Sequence, residues 1–224
     1  MNLKKSMPDI QTPVQFDSHQ NLIISSKLNN PDFKYSDWGE EDLLPIRTHI
    51  RNHYRDLNSL CSYCQKDISL QSASNSHVEH IIPKSKARHF IFEPKNLCTV
   101  CSDCNEIKRE QEVQKVEVNP LRRKKEYKRY PSASNSFKIV HPHFDNYEDH
   151  IFKCGEFYID LSPKGSFTML VCKLNRKAHK YGIEPILLSQ SELFDLMNSI
   201  MKETNFTKQN MLLNKLREYF ISSS

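Results

Sequence analysis

Cys61-Ser-Tyr-Cys64, His77-Val-Glu79-His80-Ile-Ile-Pro-Lys-Ser85 and Asn96-Leu-Cys-Thr-Val-Cys101-Ser-Asp-Cys104-Asn105 are the stretches that decide how this chain folds. Two C-x-x-C pairs supply the four sulfur ligands that zinc takes in a structural site. Cys61, Cys64, Cys101 and Cys104 are therefore read as one such site. The insert between the pairs is longer than in an ordinary zinc ribbon. Residues 77–82 alternate in the manner of a short strand, and 96–100 predict a second. Residues 103–111 are polar helix formers and predict a helix. Strand, long loop, strand and helix make a ββα unit, with zinc holding a region too small to core itself. Cys98 could in principle be a ligand. Strand alternation and the completed set of four read it as a buried filler.

Around this centre the chain has 224 residues and a net charge of +5. That length suits one domain with extensions or two small domains. The charge permits a polyanionic partner without demanding one. No apolar run is long enough to cross a bilayer. The basic residues at the start, Met1-Asn-Leu-Lys-Lys5, precede no apolar core, so no signal peptide is expected. A cytoplasmic location follows as the expectation. There, seven cysteines, four of them paired, read as metal ligands rather than disulfides. Glycines number four, and neither G-x-x-x-x-G-K-[ST] nor G-x-G-x-x-G occurs. Any ATP the system uses must bind another chain.

The chain divides on paper into an N-terminal arm (1–40), a core with the zinc site (41–118) and a C-terminal accessory region (119–224). Pro8, Pro13 and Pro31 interrupt the arm. Leu43, Leu44, Ile46, Ile50, Tyr54 and Leu57 recur at helical spacing and predict a packing helix over 42–60. The loop 83–95 is basic and aromatic. Arg122-Arg123-Lys124-Lys125 and Lys128-Arg129 surround Tyr127 and Tyr130, which suits phosphate contact and stacking or a solvated face. Residues 156–161 and 166–173 alternate like strands around Ser162-Pro163-Lys164-Gly165, so a hairpin is expected. Cys154 and Cys172 fall there as core residues. Residues 189–221 predict two helices, or one bent helix, with a Met-rich apolar face suited to core or docking.

Phosphodiester hydrolysis needs a base, a cation beside the departing oxygen and an in-line water. His80 can be the base, since imidazole titrates near neutral pH. Glu79 and Asn105 offer oxygens suited to Mg²⁺ or Mn²⁺. Neighbouring strand residues point to opposite faces, so Glu79 and His80 must lie at a strand end or bend. His77 could contact phosphate or a second metal, or face solvent. His89 lies in the basic loop. His141, His143 and His150 stand near Asp145 as a possible metal cluster, though a structural turn is the larger reading.

Cys-x-x-Cys, Glu-His-Ile-x-Pro-Lys and Asn-Leu-x-x-x-Cys-x-x-Cys-Asn-x-x-Lys together resemble the HNH endonucleases of the ββα-metal type. The resemblance implies an α+β fold, with a zinc-stapled ββα-metal core flanked by an N-terminal helix and arm and a C-terminal hairpin-plus-helices region. It implies His80 as general base, Asn96 orienting its imidazole, and Glu79 and Asn105 holding the catalytic Mg²⁺ or Mn²⁺. Glu79 replaces the commoner Asp, and Asn105 stands where a histidine is often found. His77, Lys84, Lys108, Arg122, Arg123 and Lys124 are candidate substrate contacts.

Trp38, His141-Pro-His-Phe-Asp-Asn-Tyr-Glu-Asp-His150, Thr168 and Lys173-Leu-Asn175 extend the likeness to HNH proteins of retron and Septu-type antiphage operons. That implies an SMC- or ABC-like ATPase partner and, in a retron, a reverse transcriptase with its DNA. Nucleic acid, with DNA ahead of RNA, is the implied substrate, cut to leave a 5′-phosphate and a 3′-hydroxyl. A non-catalytic zinc adaptor would need the four cysteines but neither Glu79 nor His80.

Overall fold

The computed structural model describes residues 7–113, 119–123, 127–176 and 190–222. The chain forms two units, Met1–Leu174 and Asn175–Ser224. The first contains α1 (Ser18–Asn29), α2 (Leu44–Leu57), β1 (His77–His80), β2 (Leu97–Val100), α3 (Ser102–Val113), β3 (Ile151–Cys154), β4 (Phe157–Asp160) and α4 (Pro163–Cys172). The second contains α5 (Gln190–Lys202) and α6 (Phe206–Ser222). Small antiparallel strands among helices make this an α+β fold, with the four cysteines gathered at the ββα unit.

β1 and β2 pair antiparallel, His77 opposite Val100 and His80 opposite Leu97. All four β2 residues are buried, so the strand has no solvated face. α2 packs against both strands through Ile46, Ile50 and Tyr54, spaced four apart and all buried. Each fully buried isoleucine contributes about 2 kcal/mol. Leu44 and Leu57 lie off that stripe and are exposed. Pro45 sits in the first turn of α2, where its missing N–H costs no helical bond.

Residues ahead of α2 are laid onto the same core. Ile10, Val14, Ile24, Phe33 and Trp38 are all buried. Asp17 and Gln20 close a capping box at the start of α1. At its other end, the Arg88 guanidinium donates to the carbonyls of Lys27, Leu28 and Asn30, and to that of Phe33. Carbonyls left over by the helix terminus are thus satisfied from the basic loop.

The expected hairpin exists in a different register. β4 lies within the predicted strand 156–161, but its partner is β3, joined through Gly155 at φ +57°. Residues 166–173, read as a strand, belong instead to α4 and its cap. The Ser162-Pro163 pair that suggested a turn is a helix start. Ser162 accepts from the Gly165 N–H at 3.1 Å, and Pro163 occupies the first turn. Gly165 is required by packing, since a Cβ there would lie 1.9 Å from the His150 carbonyl oxygen. Cys172 is buried on α4, whereas Cys154 is exposed on β3, so only Cys172 is a core residue.

A buried polar network fixes the 141–150 segment to α4. Asp145 pairs with the Lys164 ammonium and accepts from the His141 N–H at 2.8 Å. Lys164 also donates to Ser134 at 3.0 Å, and Thr168 accepts from the Val140 N–H at 2.8 Å. Burial alone would raise the Asp145 carboxyl, but hydrogen bonds from His150 and Lys164 hold it well below its ordinary range.

In the second unit α5 and α6 are separate helices that pack on each other. Asn205 starts α6, its side chain accepting from the N–H groups of Thr207 and Lys208. Among the described residues, no helix is long and apolar enough to cross a membrane.

Candidate active site and zinc frame

The two cysteine pairs converge although they are far apart in sequence. One ligand atom from each of Cys61, Cys64, Cys101 and Cys104 lies within 4.8 Å of all the others. Cys64 Sγ and Cys101 Sγ are 3.7 Å apart. A tetrahedron with Zn–S bonds of about 2.3 Å has edges of roughly 3.8 Å, so the cluster is sized for zinc. The first pair sits in a tight knuckle. Gln65 follows it at φ 50°, and the Ser62 N–H and hydroxyl both donate to the Thr99 carbonyl of β2. The second pair spans the start of α3, which places Cys101 and Cys104 one turn apart.

The C-terminal part of the first unit braces this frame. Tyr147 donates to the Tyr63 carbonyl at 3.1 Å, and Tyr158 to the Cys64 carbonyl at 2.7 Å. Cys98 is fully buried but outside the cluster. Among the described residues, the four cysteines are the only cluster of three or more His, Cys, Asp or Glu side chains close enough to share a metal ion. The histidines of the 141–150 segment are engaged elsewhere. His143 Nε2 donates to the Leu97 carbonyl at 2.8 Å, and His141 Nε2 meets the Tyr130 hydroxyl at 2.8 Å.

Glu79 and His80 lie at the very end of β1, and the chain bends directly after them. The alternation rule sends them to opposite sides. Glu79 faces α3, where the Lys108 ammonium pairs with its carboxylate and the Tyr63 hydroxyl donates to the same oxygen at 3.3 Å. Lys108 donates also to the His80 carbonyl at 2.8 Å and is 2 % exposed. Lys108 therefore neither faces solvent nor reaches outward in this state.

His80 faces the other way, toward Trp38 and the basic loop. Its Nε2 lies 3.0 Å from the Ile91 carbonyl oxygen. A carbonyl only accepts, so Nε2 carries the proton and Nδ1 keeps the lone pair. Burial, followed by the charge of Lys84, holds its pKa well below the ordinary imidazole value. The ring is therefore neutral at neutral pH. Lys84 is half-buried, its ammonium 6.0 Å from the Trp38 ring centroid.

Asn96 does not touch the imidazole, contrary to the role its place in the motif suggested. Its Oδ1 accepts from the Ile82 N–H at 2.7 Å, and its Nδ2 donates to the carbonyls of Ile82 and Phe90 at 3.2 and 3.0 Å. Asn96 therefore pins the two chain segments that carry His80 and its acceptor Ile91. Asn105 stands half-buried in the first turn of α3, on the same helical face as Lys108. His77 is half-buried, its Nε2 bonded to the Ser74 carbonyl.

Arg122 and Arg123 line an open pocket of about 380 Å³ with Tyr127, Asn135 and Ser136. His89 joins this surface to the basic loop through the Tyr127 carbonyl, at 2.7 Å. Lys124 lies outside the described residues. Sequence reading missed three contacts: the Lys108–Glu79 pair, the Tyr63 hydroxyl and the Ile91 carbonyl. The three-residue step from Asn105 to Lys108 on a helix was the available signal for the first. Main-chain acceptors such as Ile91 leave no signal in sequence.

Comparison with known families agrees with this geometry. Residues 61–111 match the HNH endonuclease family model. No curated protein and no solved structure matches the chain. The matched span holds both cysteine pairs, both strands and nearly all of α3. An HNH nuclease domain implies nucleic acid as its substrate.

Proposed function

We propose that this chain, with an HNH-type nuclease domain at 61–111, hydrolyses nucleic-acid phosphodiester bonds with His80 as the general base. The observation that carries the reading is the His80 tautomer. Nε2 is committed to the Ile91 carbonyl, so Nδ1 is the atom left to take a proton from water. Trp38 packs edge-on against the ring and limits its angle, while burial and the charge of Lys84 keep it neutral. Asn96 serves as a positioning residue by holding the Ile82 and Phe90 backbones on either side. Zinc on the four cysteines holds β1, β2 and α3 in register, and the fit is supported by the sulfur spacing.

Glu79 and Asn105 are the residues suited to hold a hard divalent cation. The fit rests on Glu79, whose buried carboxylate already carries a positive group, the Lys108 ammonium. When bound there, Mg²⁺ or Mn²⁺ supplies charge to balance the departing 3′ oxygen. His80 takes the water proton, and the products carry a 5′-phosphate and a 3′-hydroxyl. Arg122, Arg123 and the adjoining basic stretch, with Lys84 just past the end of β1 and His77 at its start, offer phosphate contacts along the approach. DNA is the proposed substrate, and RNA is the competing outcome.

The biological setting proposed is cytoplasmic antiphage defence beside an SMC- or ABC-like ATPase, with a reverse transcriptase where the operon is a retron. What supports it is the use made of residues outside the matched domain. Trp38 walls His80, the 141–150 segment supports β2 through His143, and Thr168 holds that segment. The lack of a phosphate-loop motif fits a division of labour with an ATPase.

Purified protein incubated with Mg²⁺ or Mn²⁺ and with plasmid DNA or total RNA should cut one of them. His80→Ala should bind the same polymer without cutting it, and full cleavage by that variant would overturn the base assignment. Sequencing the ends fixes the polymer and the polarity. Affinity purification from cells carrying the native operon should recover the ATPase, and its absence would sink the partnership.

A further inference from the structure

The Glu79–Lys108 pair is buried at both ends, with Glu79 7 % and Lys108 2 % exposed. Its ammonium sits against Glu79 Oε1, an oxygen that a metal at this site would use. Lys108 is further fixed by the His80 carbonyl at 2.8 Å, so it spans both residues of the dyad. A divalent cation and an ammonium on one carboxylate oxygen would stand within a few ångströms of each other in a low-dielectric setting. Their repulsion there is severe.

We propose that Lys108 is a built-in counter-cation which the catalytic metal displaces, and which then moves to the substrate phosphate. The inference rests on the reading of Glu79 as a metal ligand. Lys108 lies one turn along α3 from Asn105, so the displaced ammonium remains beside the cation site. A phosphodiester there offers the negative charge that Glu79 no longer shares. Metal alone must strip a buried lysine of its partner, while metal with nucleic acid exchanges one anion for another. The two ligands therefore bind cooperatively, and the site stays closed to metal until substrate arrives. By linkage, each ligand raises affinity for the other by the same factor.

The test is Mn²⁺ affinity, read by calorimetry and by the manganese spin-resonance signal. The protein is the full chain carrying His80→Ala to prevent cutting, with and without a short mixed-sequence single-stranded DNA. The oligonucleotide should tighten Mn²⁺ binding roughly tenfold, within the usual range of coupling between sites. Adding Lys108→Met should tighten Mn²⁺ binding without DNA and reduce the coupling toward onefold. Because that change leaves Glu79 unpaired, Lys108→Gln is measured beside it, and circular dichroism confirms that each variant is folded. Adding Glu79→Gln instead should abolish the site. If Mn²⁺ binding does not depend on Glu79, the metal-ligand reading falls and the exchange falls with it. If it depends on Glu79, yet Lys108→Met and Lys108→Gln leave affinity and coupling unchanged, only the exchange is overturned.

Discussion

The indole of Trp38 meets the imidazole of His80 edge-on, with ring centroids 4.6 Å apart and planes at 84°. Trp38 belongs to a five-residue 3₁₀ turn ahead of α2, outside the matched nuclease domain. Its carbonyl is gripped by the Arg47 guanidinium at 2.5 Å, which ties the turn to α2. Phe92 and Lys84 flank the same ring. A residue from the N-terminal segment therefore completes the wall of the proposed base.

Trp38→Ala should cost about 3 kcal/mol of stability through the cavity it leaves. It should lower cleavage further than that, because His80 loses the surface that fixes its ring angle. Trp38→Phe should restore most of the stability and a larger share of the activity. Paired denaturant melts and cleavage rates at a temperature where all variants are folded check this. Equal activity in Trp38→Ala and the parent would refute the positioning role.

Zinc content gives a second prediction. The purified chain should carry one zinc ion, measurable by elemental analysis. Cys101→Ser or Cys61→Ser should lose it and destabilise the ββα unit, since the metal ties the first cysteine knuckle to the start of α3. Cys98→Ala should keep the zinc, because Cys98 is buried beyond the cluster. Zinc lost in Cys98→Ala but kept in Cys61→Ser would reverse the assignment.

Asn96→Ala should be among the most damaging single changes. Asn96 is fully buried and makes three hydrogen bonds to main chain. Removing it strands the Ile82 N–H and weakens two carbonyls, at about 1–3 kcal/mol for each unsatisfied group. Loss of stability of at least 2 kcal/mol is expected, with cleavage falling as the Ile91 carbonyl drifts from His80. Asn96→Asp keeps the acceptor but loses the donor, so it should fall between the two. A chemical-denaturation series ranks the three.

The zinc frame and the ββα order were legible because their signals are local: ligand spacing, short alternating runs, a polar helix after Cys101. The place of Glu79 and His80 at the end of β1 was legible too, although the two side chains point to opposite sides of the strand. What stayed hidden depends on tertiary partners. Residues 166–173 alternate in hydropathy, yet α4 forms because Ser162 caps it, Pro163 starts it and Gly165 lets it press against the His150 carbonyl. The HNH resemblance implies that Asn96 orients the His80 imidazole. The true bonds of Asn96 are to backbone, which sequence does not display.

Acid sensitivity follows from the buried histidines of the 141–150 segment. Burial lowers the His143 pKa from 6.5 to about 4, and burial likewise drives His141 well below 6.5. Between those values the unfolded chain binds protons that the folded chain refuses, so stability rises with pH across the window. It is lost as pH falls from about 6.5 toward 4, and the loss levels off below the folded values. Asp9 opposes this. Burial raises its pKa to about 6, so its contribution is fully present below its ordinary pKa of 3.8 and is lost as pH rises through 6. Two histidines outweigh one carboxyl, so the net slope is positive. Replacing His143 by Gln keeps a donor for the Leu97 carbonyl and removes one titrating group. Its melting temperature should fall less than the parent's between pH 6.5 and 4. Identical pH profiles for the two proteins would show that His143 is not a source of the slope.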